Sequence, residues 1–426
     1  VLKLAQQNFP DLELERTRIH SCLFAGQPYR EKDFNHLMSK LLKCLERFII
    51  LREWESDEHG QLKYALEASR RRQLRKNFAA FSRRVATQTK VGQSADYLRH
   101  YQTTKIAQQY LVDQGKRAED PYLQHTADWL DLFYVCEKLK LSCSMIARQQ
   151  VTNESFRVGF ANENPTTWPG SKQVQQLAHL YLASLHMLQA EGKPEIFTSF
   201  MAQIRSLAPQ LSLSEVRELY NHAAFYCTQH IRKGHINFAP LLFDLYQEGI
   251  QKGYLLERGT LSPWIYKNIT KLGLGLKQFD WVQWFIENYS QYLPKDHQED
   301  ALNFNRADLH YYRGEHDEAM LLLHEVEFSD TFYKLGSKEM LIKIYFEKQE
   351  TEALFAILNS FRIMLLREKG INQQVKSAYL NFIRWCRENY QLKLRPDEER
   401  RHKLAQKIRA TNSLTSRKWL LEQLND

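Results

Sequence analysis

Fifteen histidines and six cysteines are the residues best suited to ligate a metal or attack a substrate, and their spacing supports neither task. Cys22, Cys44, Cys136, Cys143, Cys227 and Cys386 include no C-x-x-C pair, so neither a zinc ribbon nor a disulfide framework is expected. Reduced, buried thiols are expected instead, with Cys136 and Cys143 two turns apart on one helix face. His324-Glu325 lacks the second histidine of H-E-x-x-H, and Gly273 with Gly275 gives G-x-G inside a helical stretch, too little to cradle a phosphate. Arg217 with His222, and Arg30 with His36, match the Arg-to-His spacing of some small helical ribonucleases. Chance accounts for two such pairs in a chain of this composition. No catalytic residue, cofactor or metal is assigned, and the chain is expected not to be an enzyme. An enzyme with no recognisable local motif is the remotest of three readings.

The cations carry more information. From Gly60 to Ala118 there are thirteen Lys and Arg against three acids, whereas Asp296 to Ala353 carries six basic and fourteen acidic residues. The stretch from Lys393 to Asp426 returns to a net +4. In a helix that turns Leu74, Phe78, Phe81 and Val85 inward, Arg72, Arg75, Lys76 and Arg83 fall on the opposite side. That row could track phosphates, with Tyr97, Tyr101 and Tyr110 downstream to stack on bases, which makes it a candidate nucleic-acid or polyanion surface. A solvated helix face, or pairing with the acidic helices of the same chain, explains the row as well.

The elements that must position these residues read as helices. Gly at 16 and Pro at 11 in 426 residues are too sparse for a turn-dense β architecture. Phe34, Leu37, Met38, Leu41, Leu42, Leu45, Phe48 and Ile49 recur at three- and four-residue steps, predicting a long core-facing helix. A second is expected from Leu62 to about Thr89. A third, opened by Asp120-Pro121, turns Trp129, Leu130, Phe133, Leu139 and Leu141 inward. The run Val151 to Gly170 has no helical period and reads as a linker, a binding loop or a packed strap through Phe156, Phe160 and Trp168. The expected division is a long-helix region over 1–150 with the basic helix, a connection over 151–171, and shorter paired helices over 172–426. Mean hydropathy is −0.55 and no run of 18 apolar residues occurs, so no membrane association and a cytoplasmic location are expected. Val1 in place of an initiator Met is what a fragment or a processed chain would show.

Internal repetition appears after residue 260. Aligning Gly314 to Val326 with Lys348 to Leu358 sets Ala319 and Ala353 34 residues apart, and Lys277 to Pro294 has the same shape with Val282 at the small-residue position. With Ala307 in a first helix, Gly314 at the turn, and Leu323 and Val326 as hydrophobes, roughly Leu261 to Phe361 resembles the tetratricopeptide repeat family. It departs from the family where Val282 to Ala319 spans 37 residues and where Lys348 replaces the usual glycine. The resemblance implies an all-α superhelix of αα-hairpins whose first helices line a groove for a partner's peptide or helix. The implied groove residues are Phe304, Asn305, Asp308, Tyr311 and Tyr312 in one unit and Lys338, Glu339, Ile342, Tyr345 and Phe346 in the next, with Lys267, Asn268 and Lys271 before them. Tyr and Phe at these places also suit ordinary packing between helices. A clamp for a terminal carboxylate is not expected, because Leu335 and Glu339 stand where it needs basic residues.

Overall fold

A computed structural model of the chain describes residues 15–24, 26, 28–87, 91–115, 120–149, 155–159, 167–325, 331–368 and 373–424. Among them are nineteen α-helices and one two-stranded hairpin, so the protein is all-α. No helix among the described residues is long and apolar enough to cross a membrane. In chain order the helices are α1 (Arg16–Leu23), α2 (Glu31–Ser56), α3 (Glu58–Arg71), α4 (Arg75–Ala86), α5 (Ser94–Asp113), α6 (Leu123–Gln149), α7 (Lys172–Gln189), α8 (Pro194–Leu207), α9 (Leu213–Arg232) and α10 (Phe238–Gln251). Strands β1 (Leu256–Glu257) and β2 (Thr260–Leu261) follow. Then come α11 (Pro263–Gly275), α12 (Phe279–Tyr289), α13 (Lys295–Arg313), α14 (His316–Glu325), α15 (Thr331–Glu347), α16 (Thr351–Arg367), α17 (Gln373–Leu394), α18 (Glu398–Ala410) and α19 (Arg417–Glu422). The chain divides into two compact units, Val1–Glu191 with Glu195–Val216, and Gly192–Pro194 with Arg217–Asp426.

In the first unit, the single helix expected from Leu62 to Thr89 is two. The break falls at Gln73, whose φ of 55° is left-handed, and Leu74 N donates to Ser69 O at 2.9 Å to close the turn. The eight-residue step from Leu66 to Leu74 would rotate a continuous apolar stripe by about 80°. Folding back restores alignment, so that Leu66, Phe78 and Ile106 share one core with Phe78 stacked on Tyr110 at 3.8 Å. Thr89 itself lies outside the described residues. On α6 the buried stripe is Leu132, Val135, Cys136, Leu139, Cys143 and Ile146, stepping by three and four. Leu130 and Leu141, expected inside, lie two residues off that stripe and are exposed. Asp120 does cap the start of this helix, accepting from Tyr122 N at 2.9 Å and Leu123 N at 3.2 Å.

The larger departure is α2. Its apolar stripe was expected to face a core, yet Phe34 is its one buried residue. Cys22 and Cys44 are likewise exposed rather than buried, while the other four thiols are buried as expected. Residues 151–154 and 160–166 of the aperiodic run, Phe160 among them, lie outside the described residues. The described parts on either side are tied to helices of the first unit: Ser142 Oγ donates to Gly159 O at 3.0 Å, and Gln175 Nε2 donates to Trp168 O at 2.8 Å over a buried Trp168 ring.

The second unit is built from consecutive helix pairs, α11 with α12, α13 with α14, α15 with α16 and α17 with α18, preceded by α10, which packs on α11. In addition to its own partner, α13 touches the first helix of the pair before, α11, and of the pair after, α15. Close approach occurs where a side chain is small. A Cβ on Gly273 would lie 2.5 Å from Val282 and 3.0 Å from Phe243, and Ala307 and Ala319 are fully buried. Four connections between successive helices make the same turn. Gly234, Lys277, Gly314 and Gln349 all take positive φ, and in each the next residue's N–H donates 2.9 Å back to the carbonyl five residues earlier, as in His235 to His230 and Glu315 to His310.

Candidate functional site

The residues of interest in the second unit lie on the face made by α11, α13, α15 and α17. Lys271 extends from α11 and sets its ammonium 3.0 Å from the buried Asp308 carboxylate of α13. Burial alone would lower the lysine pKa, but Asp308, Tyr312 and Glu339 together raise it, so the cation is held charged. Lys267, one turn earlier, sits 5.3 Å above the ring of Phe304 and 5.6 Å above that of Tyr333. On α15, Glu339 pairs with Lys343 at 2.9 Å. Its burial would raise the carboxyl pKa, yet Lys343, the Ser416 hydroxyl and Lys271 bring it down to about 2. Two ion pairs, Lys271 with Asp308 and Lys343 with Glu339, therefore lie across three first helices.

Part of this face holds the end of the chain. After α18 the backbone turns back, stapled by the Arg417 guanidinium on the carbonyls of Thr411 and Asn412. Ser416 takes a left-handed φ of 48° and donates its hydroxyl to Glu339, with Thr415 Oγ1 3.4 Å from the same carboxylate. Trp419 of α19 donates Nε1–H to Glu347 Oε1 at 2.6 Å and packs its ring against Phe346 at 5.2 Å and Phe382 at 6.1 Å. Lys343 lies 5.9 Å over the same indole. Glu347 also accepts from Tyr311 OH at 2.7 Å and lies 3.3 Å from His316 Nε2. The tyrosine is held neutral, its pKa raised by burial and by the adjacent carboxylate.

The groove residues expected from the sequence separate into two sets. Phe304, Asn305, Asp308, Ile342 and Phe346 are buried in the packing of the helices, and Asn305 donates Nδ2–H to Ala301 O at 2.6 Å. Tyr312 is exposed beside Lys271 and Asp308, while Tyr311, Lys338 and Tyr345 are half-buried. Tyr345 is directed to α14, where its hydroxyl lies 3.0 Å from His324 Nε2. Lys343, Glu347, Ser416 and Trp419 were not singled out from the sequence. Their only trace there is an acidic stretch followed by a basic end.

In the first unit, Arg75, Lys76 and Arg83 are exposed on α4, but Arg72 stands in the turn that caps α3. None of the four forms an ion pair among the described residues. Their neighbours are spoken for: Arg70 pairs with Glu67 at 2.8 Å and Asp113 at 2.6 Å, Arg71 pairs with Glu67 at 2.7 Å, and Arg84 lies 3.6 Å from Glu58. The Arg217 side chain, half of one ribonuclease-like pair, is committed to the carbonyls of Tyr254 and Leu256. No protein-family model matches the chain, and neither a curated protein nor a solved structure is significantly similar to it.

Proposed function

We propose that the second unit is a tetratricopeptide-like helical repeat in a cytoplasmic scaffold or adaptor, which holds a partner's peptide or helix on the face of α11, α13 and α15 and performs no chemistry of its own. The observation that carries this reading is that the same face already holds a protein segment, residues 411–422, through side-chain hydrogen bonds to Glu339 and Glu347. A face meant for packing alone would be apolar, because each buried charge costs free energy unless paired. Here two ion pairs are present and the exposed Tyr312 and half-buried Lys338 adjoin them, which suits a segment carrying hydroxyl, aromatic and basic groups. The four identical turns and the neighbour-to-neighbour packing support the repeat assignment. The test is affinity capture with Tyr312→Ala plus Lys338→Glu. A partner held by the unaltered chain should be lost at least about tenfold while the melting temperature stays constant. Equal capture by both chains would refute the groove.

A second reading rests on the exposed, unpaired cations of the first unit. If Arg72, Arg75, Lys76 and Arg83 contact RNA or DNA, affinity should fall with a log–log salt slope of about −0.7 to −0.9 per neutralised phosphate. Changing all four to Glu should abolish binding. No binding near 50 mM salt, an approximate condition at which such attraction is strong, would remove this reading.

A further inference from the structure

Helix α2 presents an apolar face that nothing among the described residues covers. Met38, Leu41, Leu42, Leu45, Phe48 and Ile49 fall within about 120° of arc on a helix about 39 Å long. They keep between 40% and 59% of their surface exposed. We propose that this stripe is a homodimerisation surface, on which α2 of a second copy of the chain packs about a two-fold axis.

Three observations favour that occupant. The first is area. At roughly 200 Å² for a fully exposed large apolar side chain, the six residues present about 600 Å². Two copies then bury about 1,200 Å², above the roughly 1,000 Å² that a specific interface needs, and a patch of about 600 Å² is at the upper end of the largest that a monomer leaves in water. A two-fold axis matches a patch to itself, so one exposed stripe per chain is sufficient.

The second observation is charge. Between Glu31 and Ser56 there are five cations and five acids, a net of zero. A helix that lies on an anionic membrane carries an excess of Lys and Arg on its polar face, which α2 lacks. The third is anchorage. The helix is fixed at its start by Phe34, buried in an aromatic cluster with His20 and Tyr29, and at its end by Asp57, which caps α3 by accepting from Gly60 N at 2.9 Å. The stripe between these two points is held in place without being covered.

Sedimentation of the full chain should give twice the 50.6 kDa of one copy at about 10 μM, where a dimer with a dissociation constant of about 1 μM or less is mostly assembled. Leu41→Glu plus Leu45→Glu should raise the dimer dissociation constant at least about 100-fold, since each carboxylate would be buried unpaired, with helicity unchanged because both sites are exposed in one copy. Leu45→Ala, which adds no charge, should raise it about tenfold. Ile50→Glu, on the other side of α2, should leave it unchanged. A monomer at that concentration, whether α2 is covered by the chain's own residues or binds anionic vesicles, would overturn the proposal. So would a dimer that survives the double Glu variant, or one that Ile50→Glu dissociates equally.

Discussion

Replacing Trp419 with alanine is expected to destabilise the second unit by about 2–4 kcal/mol, slightly below the range for a fully enclosed tryptophan because this ring is half-buried. Three losses contribute. The indole leaves the rings of Phe346 and Phe382, the Lys343 ammonium loses the aromatic face beneath it, and Glu347 loses an N–H donor at 2.6 Å. Tyr311 OH, 2.7 Å from the same carboxylate, remains to satisfy it, which keeps the penalty from reaching that of an orphaned charge. In a unit of roughly 200 residues the melting temperature should fall by about 6–12 °C. Calorimetry reads this directly, and a shift within about 1 °C would mean that α19 does not dock as described.

The second large effect is expected at Gly273. Its new Cβ in Gly273→Val would lie 2.5 Å from the Val282 methyl and 3.0 Å from the Phe243 ring, both buried side chains, so something must shift. Overpacking of this kind should cost about 3 kcal/mol and separate α11 from α12. Ala319→Leu in the next pair, where Ala319 is fully buried, should cost about 1–3 kcal/mol for the same reason. Denaturant unfolding measures both. If both variants kept the stability of the unaltered chain, the helix pairs would not be in contact at their small residues.

Much of the helical architecture was legible because it is local. Three- and four-residue periodicity marks helices wherever one face is apolar, and Ala307 and Ala319 stand out as small residues flanking a glycine turn. Gly273 was legible as a glycine but not as a contact, because Val282 and Phe243 reach it from other helices. The turns at Lys277 and Gln349 were hidden for a different reason. Their left-handed backbone is imposed by the six-residue hydrogen-bonded closure rather than by glycine, so Lys348 looked like a departure while its neighbour carried the turn.

Periodicity also misreads a helix whose apolar face points to solvent. The stripe of α2 is indistinguishable in sequence from a core stripe, and only the exposure of Leu41 and Leu45 separates the two. The register of the helices places Phe304, Asp308, Ile342 and Phe346 on a groove, yet all four are buried in the packing, because one residue's rotation on a helix decides between lining a face and filling the core. What lies on the face depends on contacts such as Trp419 with Glu347 and Ser416 with Glu339, which join residues 72 and 77 positions apart. No local pattern encodes those.

If the face of α11, α13 and α15 binds a protein segment, that segment should bind when it is supplied separately. A labelled peptide with the sequence of residues 411–426 would be titrated into the chain carrying Trp419→Ala and Leu420→Ala, whose own end is loosened. Saturable binding is expected, and Glu347→Gln should weaken it at least about tenfold, the value of one charge-assisted hydrogen bond. No binding up to about 1 mM, or binding that Glu347→Gln leaves unchanged, would contradict it.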